Sequence, residues 1–366
     1  MKHKVLEKQD FESLLNALHL EGYSVVGPQV SDGAIIYQTL DNSTQLPIGF
    51  TDRQQPGSYS LNKSQHNHWF AWANGPQALK PLLFKPEESL WTAFLAKDND
   101  ETLSFEAVLP DVMPTAVLGV RACDLAALEL QDKHFLEKEY VDPYYQKRRE
   151  SLFLIAVNCS HPSENCFCAS TGDGPFVQQS YDILLTEIDD LFLISSGSEK
   201  GDKICRQLDL KDATELHIES SSKQEQDAIN SQKKMLPVGD IASMLKNKTN
   251  HPQWDVIAET CLSCGNCTSV CPSCFCHSEK DIQALDGKSS EHIRLWDSCF
   301  SQEHGHIHGA LIRTETSKQY KQWLTHKFSA WVEQYGSSGC VGCGRCISWC
   351  PVGIDVTEQL SILCDD

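Results

Sequence analysis

Residues 261–272 read CLSCGNCTSVCP, and residues 340–351 read CVGCGRCISWCP, with identical cysteine spacing. Three cysteines at three-residue intervals lie on one tight loop, so their thiolates converge on three corners of a cubane. The proline after the fourth cysteine suits a turn, and we expect that cysteine to begin a helix pointing away from the loop. Each run therefore predicts ligands for a [4Fe–4S] cluster, and the two runs predict two clusters.

The spacing is typical of bacterial ferredoxins, in which the fourth cysteine of each run binds the cluster of the other run. The predicted ligands of the first cluster are Cys261, Cys264, Cys267 and Cys350. The predicted ligands of the second cluster are Cys340, Cys343, Cys346 and Cys271. Zinc is the competing interpretation, but four-cysteine zinc sites usually combine two separated C-x2-C pairs. A cysteine on every iron favours electron relay, so we expect no catalytic residue in this chain.

Composition and charge exclude several classes of protein. The 366 residues include 31 Lys or Arg and 50 Asp or Glu, a net charge of −19 that argues against nucleic-acid binding. The longest apolar runs, such as residues 152–157, are too short to cross a bilayer, and residues 1–8 contain no apolar signal core. Seventeen cysteines, many at short gaps, are typical of metal ligands in a reducing compartment. We therefore expect a cytoplasmic protein without a membrane or nucleic-acid partner.

The pattern of apolar and polar residues predicts an α+β fold. Residues 1–250 read as an α/β domain, and residues 251–366 read as a ferredoxin-like module with two [4Fe–4S] clusters. Apolar runs predict strands at 23–26, 34–39, 116–120 and 151–157, and a hairpin of 183–186 with 191–194. Capping residues predict helices at 11–20 with Asp10 as N-cap, from Asp124 as cap to Phe135, and at 253–259. The polar region 195–250 is expected to contain a linker near 220–225.

Nine cysteines lie outside the two runs. Four of them follow predicted buried strands, and these are Cys123, Cys159, Cys166 and Cys168. Because the carboxyl ends of parallel strands meet at one sheet edge, these four cysteines are candidates for a third Fe–S site. Two alternatives stay open at this point. In the first, the four cysteines only fill space in the core as small buried apolar residues. In the second, the third Fe–S site is held by a different set, Cys274, Cys276 and Cys299.

Two further sequence patterns were considered as metal or nucleotide sites, and neither fits well. His304, His306 and His308 alternate as in some metal sites, but nearby glycines and the lack of an acidic ligand pair favour a loop. No G-x-G-x-x-G follows a predicted strand, and residues 171–175 lack the lysine of a P-loop. We therefore expect no nucleotide or flavin site in this chain.

Several segments taken together resemble one family. They are residues 119–125 (GVRACDL), 158–168, 261–276, 296–299 (WDSC), 325–328 (THKF), 340–346 and 351–355 (PVGID). Over about residues 115–360, the chain is similar to the iron–sulfur β subunits of cytoplasmic sulfhydrogenases, which are NAD(P)-linked [NiFe] hydrogenases. It resembles the A subunits of anaerobic sulfite reductases almost as well.

The resemblance implies an electron-relay position within a complex. A flavin subunit would handle NAD(P)H, the hydrogenase small and large subunits would carry the nickel–iron site, and this chain would connect them. The four upstream cysteines fit the family pattern of an additional Fe–S site. The alternative partners are sulfite reductase subunits, whose acceptor is sirohaem. Two functions of another kind are a stand-alone multicluster ferredoxin and a self-contained flavin oxidoreductase.

Overall fold

The structure is a computed structural model that describes residues 3–96 and 99–365. The strands in this described part are β1 (Lys4–Glu7), β2 (Ser24–Ser31), β3 (Ala34–Thr39), β4 (Phe50–Gln55), β5 (Ser58–Lys63), β6 (Glu87–Ala96), β7 (Asn99–Ala107), β8 (Thr115–Val120), β9 (Leu152–Val157), β10 (Ile183–Ile188), β11 (Leu191–Ser196), β12 (Lys211–Asp212), β13 (His277–Gln283), β14 (Ser289–Trp296), β15 (His306–Ile307) and β16 (Ala310–Leu311).

The helices are α1 (Glu12–Leu20), α2 (Lys80–Leu83), α3 (Ala122–Phe135), α4 (Pro143–Glu150), α5 (Cys168–Thr171), α6 (Glu199–Cys205), α7 (Glu215–Ser231), α8 (Ile241–Lys246), α9 (Gln253–Thr260), α10 (Asn266–Ser269), α11 (Thr316–Thr325), α12 (Trp331–Tyr335), α13 (Arg345–Ser348) and α14 (Val356–Asp365). A π-helical turn, His326–Ala330, joins α11 to α12. None of the helices in the described residues is long and apolar enough to cross a membrane.

An eight-stranded sheet organises the first part of the chain, in the order β12-β1-β11-β10-β9-β8-β2-β3. The four central strands β10, β9, β8 and β2 are parallel, and the outer pairings are antiparallel. All six residues of β9 are buried, because apolar clusters cover both faces of the sheet. The carboxyl ends of β8 and β9 therefore meet at one edge, where Cys123 and Cys159 follow.

A second sheet combines distant parts of the chain in the order β13-β14-β6-β7. The hairpin of β13 and β14 joins β6 through a ladder that runs from Ser289 opposite Phe94 to Leu295 opposite Glu87. Strands on either side of residue 250 thus share one sheet. The division into domains of 1–250 and 251–366 stays a prediction.

The two cysteine runs adopt the same local conformation, 79 positions apart. Gly265 and Gly344 have φ values of 70° and 71° and precede the short helices α10 and α13. Ser263 and Gly342 also have positive φ, 51° and 63°. These left-handed residues fold each run into a compact loop around its first three cysteines. We expected the fourth cysteine of each run to begin a helix, and this prediction is wrong. The chain turns after Cys350, and α14 starts only at Val356.

The structure confirms several predicted elements and corrects three. The elements β3, β8, β9, the hairpin of β10 with β11, and α9 lie where the sequence predicts them. Asp10 is not the N-cap of α1, since it belongs to a 3-10 turn and Phe11 takes that position. Asp124 lies inside the first turn of α3, after Arg121 as N-cap. The prediction of a linker near 220–225 is wrong, because these residues lie inside α7. Lys, Gln and Glu in this segment favour a helix.

Candidate iron–sulfur sites

A first cavity brings together the four cysteines assigned to the first cluster. Its volume is about 450 Å³, and its lining includes Cys261, Cys264, Cys267 and Cys350. The other walls are largely apolar or aromatic, including Phe300, Tyr320, Trp323, Val352 and Ile354. Cys264 is exposed, and its neighbour Leu262 is 61% exposed. The first cavity therefore lies close to the protein surface.

A second cavity brings together the four cysteines assigned to the second cluster. Its volume is about 360 Å³, and its lining includes Cys271, Cys340, Cys343 and Cys346. The fourth cysteine of each run thus lines the cavity of the other run, as the ferredoxin spacing predicts. The ligand assignment itself stays a prediction.

A third cavity collects the four cysteines upstream of the ferredoxin runs. Its volume is about 380 Å³, and its lining includes Cys123, Cys159, Cys166 and Cys168. It lies at the carboxyl edge of β8 and β9, the edge that the sequence predicts for these residues. The last three of the four cysteines are buried. The structure therefore brings Cys123 together with the three thiols of residues 159–168.

The three cavities form a row with shared walls. Cys346, Trp323 and Val356 line both the first and the second cavity. Cys343 lines both the second and the third cavity. The Cys166 thiol also lies 3.8 Å from the Cys343 carbonyl oxygen. The second cavity is consequently the middle one.

Glycines allow the second ferredoxin loop to pack directly on the segment that carries Cys166 and Cys168. The Phe167 N–H donates to the Gly342 carbonyl at 2.8 Å. A Cβ atom at Gly342 would come within 2.6 Å of the Phe167 and Cys168 backbone. At Gly344 the same addition would come within 2.4 Å of the Asn165 carbonyl oxygen. Only glycine permits this approach of the two backbones.

Several buried donors around these cavities have no partner among the described residues. They are Tyr320 Oη and Trp323 Nε1 on residues lining the first cavity, and Arg121 Nε and Arg345 Nη1 on residues lining the third. Buried donors without partners are costly in a folded protein. Sulfur atoms of a cysteine-bound cluster accept such hydrogen bonds. The thiols, the apolar walls and these donors together fit Fe–S clusters.

Buried lysines compensate negative charge near Cys271. Lys327 Nζ lies 3.3 Å from Cys271 Sγ and donates to the Gly339 carbonyl at 2.9 Å. A hydrogen bond from Cys274 and the Lys327 charge lower the pKa of the Cys271 thiol, against the opposing effect of burial. Lys80 is also buried near this run, and burial lowers its pKa. The environment of Cys271 thus favours a thiolate, the form that binds metal.

Two buried arginines, Arg121 and Arg345, line the third cavity and bring positive charge to it. Arg345 pairs with the Asp124 carboxylate at 2.8 Å, and Asn74 donates to the other carboxylate oxygen. Arg121 donates to the carbonyls of Phe70 and Trp72, at 2.9 and 2.8 Å. Burial raises the pKa of the Cys123 thiol, because no water stabilises its anion. A bound cation or cluster would remove that penalty.

Sequence reasoning missed the charged residues of these sites. Lys327 and Arg345 lie inside segments 325–328 and 340–346, which contributed to the resemblance, but neither residue received a role. The available signal for Arg345 was a basic residue directly before the third cysteine of a run. Lys327 had no such signal, because only the fold brings it to Cys271.

The rival cysteine set is only partly assembled. Cys276 and Cys299 meet, and a ring nitrogen of His304 joins them, with all ligand atoms within 4.8 Å of one another. Cys274 instead makes a hydrogen bond with Cys271. The sequence predicted only a loop for the alternating histidines, and the position of His304 beside two cysteines was not predicted. Cys205 and Cys364 are half-buried and line none of the three cavities described above.

Known proteins resemble this chain in sequence. The family model of the 4Fe-4S dicluster domain matches residues 260–354. Sulfhydrogenase 2 subunit beta of Pyrococcus furiosus is 32% identical over 251 residues, an alignment that covers 67% of this chain and 72% of that protein. The chain belongs to the sulfhydrogenase beta-subunit family. The family resemblance and the fold class predicted from the sequence are thereby confirmed.

Membership of the sulfhydrogenase beta-subunit family identifies the chain as an iron–sulfur electron-transfer protein. The matched dicluster domain contains both ferredoxin runs and ends shortly after Cys350. The third cavity lies outside that domain in sequence but shares Cys343 with it in space. The aligned length of 251 residues also exceeds the dicluster domain, so the resemblance to the beta subunit extends beyond the ferredoxin runs.

Proposed function

We propose that this chain is the electron-relay subunit of a cytoplasmic NAD(P)-linked [NiFe] hydrogenase and that it holds three [4Fe–4S] clusters. The row of three cysteine-lined cavities with shared walls carries the proposal. The hydrogenase assignment rests on the name of the relative, a sulfhydrogenase subunit. The cytoplasmic location rests on the clustered cysteines, which serve as ligands in a reducing compartment.

The cysteine linings of the three cavities support three clusters of one type. Five cysteines line the first cavity, four line the second and five line the third, so each cavity has at least the four ligands that a [4Fe–4S] cluster takes. The alternative of inert buried cysteines would require a small apolar pocket. The third cavity instead has Arg121 and Arg345 in its lining.

The side chains around the cavities determine how such a relay works. Bound clusters would accept and donate single electrons. The cysteine thiolates would hold the irons, and the largely apolar walls would limit the access of water to them. The buried charges of Lys327 and Arg121 would offset the negative charge of thiolate-bound clusters, which would keep reduction accessible.

The two ends of the row present different surfaces. At the first cavity, exposed Cys264 and Leu262 provide a contact where a partner's redox group can approach. Next to the third cavity lies a surface groove of about 410 Å³ that includes Ala122 and Glu129. We propose that one end serves the flavin subunit and the other serves the hydrogenase small subunit. Electrons then cross the chain through the middle site.

Iron content tests the number of clusters. The complex, purified anaerobically, is expected to contain about twelve irons and twelve sulfides in this chain. Cys159→Ala should remove about four of the irons and leave the other two sites loaded. The matched control is Cys205→Ala, since Cys205 is half-buried and lines none of the three cavities. About eight irons in the wild type, unchanged by Cys159→Ala, would return the four upstream cysteines to a structural role.

The co-purifying subunits test the identity of the complex. Nickel and flavin in the partner subunits, with NAD(P)H-dependent hydrogen turnover, are expected. Sirohaem in a partner would instead identify a sulfite reductase. A stable monomer that carries its clusters and recruits no partner would identify a stand-alone ferredoxin.

A further inference from the structure

A separate group of ligand side chains lies within the dicluster domain, between the two ferredoxin runs in sequence. Cys276, Cys299 and His304 bring two thiol sulfurs and an imidazole nitrogen within 4.8 Å of one another. None of these three residues lines any of the three cysteine cavities. Cys299 is buried, at 4% exposure, and the other two are half-buried. The group is therefore separate from the cluster sites.

The β13–β14 hairpin creates this group. Cys276 directly precedes β13, Asp297 directly follows β14, and His277 pairs with Trp296 at the same end of the ladder. The Asp297 N–H donates to the Cys276 carbonyl at 2.9 Å, which closes that end. Cys299 then lies two residues beyond Asp297. Residues from two distant positions in the sequence are thus held together by sheet register.

A network of hydrogen bonds fixes the loop that carries His304. The His304 N–H donates to Ser301 Oγ at 3.2 Å, and Arg313 donates to the His304 carbonyl at 3.1 Å. The Asp297 carboxylate lies 3.8 Å from His304 Nδ1. Histidines that bind metals commonly have a carboxylate in this outer position, which orients the ring. The surroundings of His304 therefore match those of a metal ligand.

The distances discriminate between a single ion and a cluster. In a tetrahedral zinc site with Zn–S bonds of about 2.3 Å, the two sulfurs stand about 3.8 Å apart. Cysteines of a cubane bind different irons and stand farther apart. Ligand atoms that all lie within 4.8 Å therefore suit one ion. Two thiolates and an imidazole are a donor set typical of zinc.

We infer that Cys276, Cys299 and His304 form a mononuclear Zn²⁺ site, with water as the fourth ligand. The ion would fasten the loop of residues 297–313 to the start of β13. It would also hold the chain in place shortly after Cys271, a predicted ligand of the second cluster. This role is structural and needs no electron transfer at the zinc.

Metal analysis of the intact complex tests the zinc site. About one zinc per copy of this chain is expected in addition to iron. Cys299→Ala and the milder His304→Gln should each lower zinc to a small fraction of that value, with iron unchanged. His306→Gln is the matched control, because His306 is an exposed histidine of the same loop. Zinc K-edge absorption should show two sulfur neighbours at about 2.3 Å.

Three results would overturn the inference. The first is a wild-type complex without zinc. The second is a loss of iron instead of zinc in Cys299→Ala, which would make Cys299 a cluster ligand. The third is a disulfide between Cys276 and Cys299, detected by mass spectrometry of the alkylated chain. None of these results depends on the hydrogenase assignment, because partner identity is read from nickel and flavin.

Discussion

Lys327 places a buried positive charge beside Cys271, a predicted cluster ligand. Its side chain is buried, at 5% exposure, and Nζ lies 3.3 Å from Cys271 Sγ. A fixed positive charge next to a cluster ligand stabilises the reduced, more negative state. A buried charge at this range is worth on the order of 2 kcal/mol. The conformation of the π-helical turn holds the charge in place.

We predict that Lys327→Met lowers the midpoint potential of the second cluster. Methionine keeps most of the packing and removes the charge, so a fall on the order of 100 mV is expected. The measurement is a redox titration followed by electron paramagnetic resonance. Lys321→Met is the matched control, because Lys321 is a half-buried lysine of α11 that donates to the Thr249 carbonyl, and this change should leave the potential unchanged. An unchanged potential in Lys327→Met would show that this charge has no effect on the site.

Gly342 lies where the second ferredoxin loop packs against the backbone of Phe167 and Cys168. A methyl group there would meet the Phe167 and Cys168 backbone at 2.6 Å. We predict that Gly342→Ala destabilises the protein by on the order of 2–4 kcal/mol and lowers its iron content. Thermal unfolding and iron analysis are the measurements.

Gly336→Ala is the matched control for this substitution. Gly336 also has a positive φ, 77°, but a Cβ atom there would meet nothing within 4 Å. Only the backbone strain of about 1–2 kcal/mol should appear, with full iron content. Equal iron loss in both variants would contradict the role of close packing at Gly342.

At the scale of elements, helix α3 connects the large sheet to the cysteine-rich segment. His134 near its end stacks on Phe275, with ring centroids 3.5 Å apart, and bonds to the Tyr335 hydroxyl at 2.8 Å. Burial lowers the pKa of His134 to about 4, from an ordinary value near 6.5. The neutral ring therefore stabilises this contact between α3, Phe275 and α12.

The lowered pKa of His134 predicts acid sensitivity of the fold. The unfolded chain binds this proton near pH 6.5 and the folded chain only near pH 4. The contribution of His134 is thus complete above pH 6.5 and is lost as the pH falls towards 4. His134→Leu should make the fall in melting temperature between pH 7 and pH 5 smaller by a few degrees. His19→Gln is the control, because His19 is an exposed histidine of α1, and this variant should match the wild type.

At the scale of the whole molecule, the ferredoxin module is embedded in the rest of the chain. Strand β14 pairs with β6, and Arg345 pairs with Asp124. Tyr59 stacks on Trp349, with ring centroids 5.1 Å apart. These contacts connect residues on both sides of position 250. The cluster loops therefore depend on the N-terminal part for their environment.

We predict that a fragment of residues 251–366 does not hold its clusters stably. Without β6 and Asp124, it exposes apolar surface of β14 and loses both the Arg345–Asp124 ion pair and the hydrogen bond from Arg345 to the Gly75 carbonyl. Anaerobic purification, iron analysis and size-exclusion chromatography are the measurements, with the full chain as control. A monomeric fragment with about eight irons would instead establish an independent domain over 251–366.

The cysteine runs were readable from sequence because their chemistry is local. Spacings of two and three residues determine which thiols share a loop, and repetition of the spacing predicts the exchange of fourth ligands. Buried strands such as 116–120 and 151–157 were readable for a similar reason, since continuous apolar runs need no long-range information. The linker near 220–225 failed because polar composition alone does not distinguish a loop from an exposed helix.

By itself, the sequence determined the two ferredoxin runs, the main buried strands and the family of the chain. Only the tertiary structure decided which remote groups meet. Hairpin register brings Cys276 to Cys299, and packing places Lys327 at Cys271 and Arg345 at Asp124. The physical reason is that these contacts arise from burial and strand pairing over long sequence separations. No local spacing encodes them.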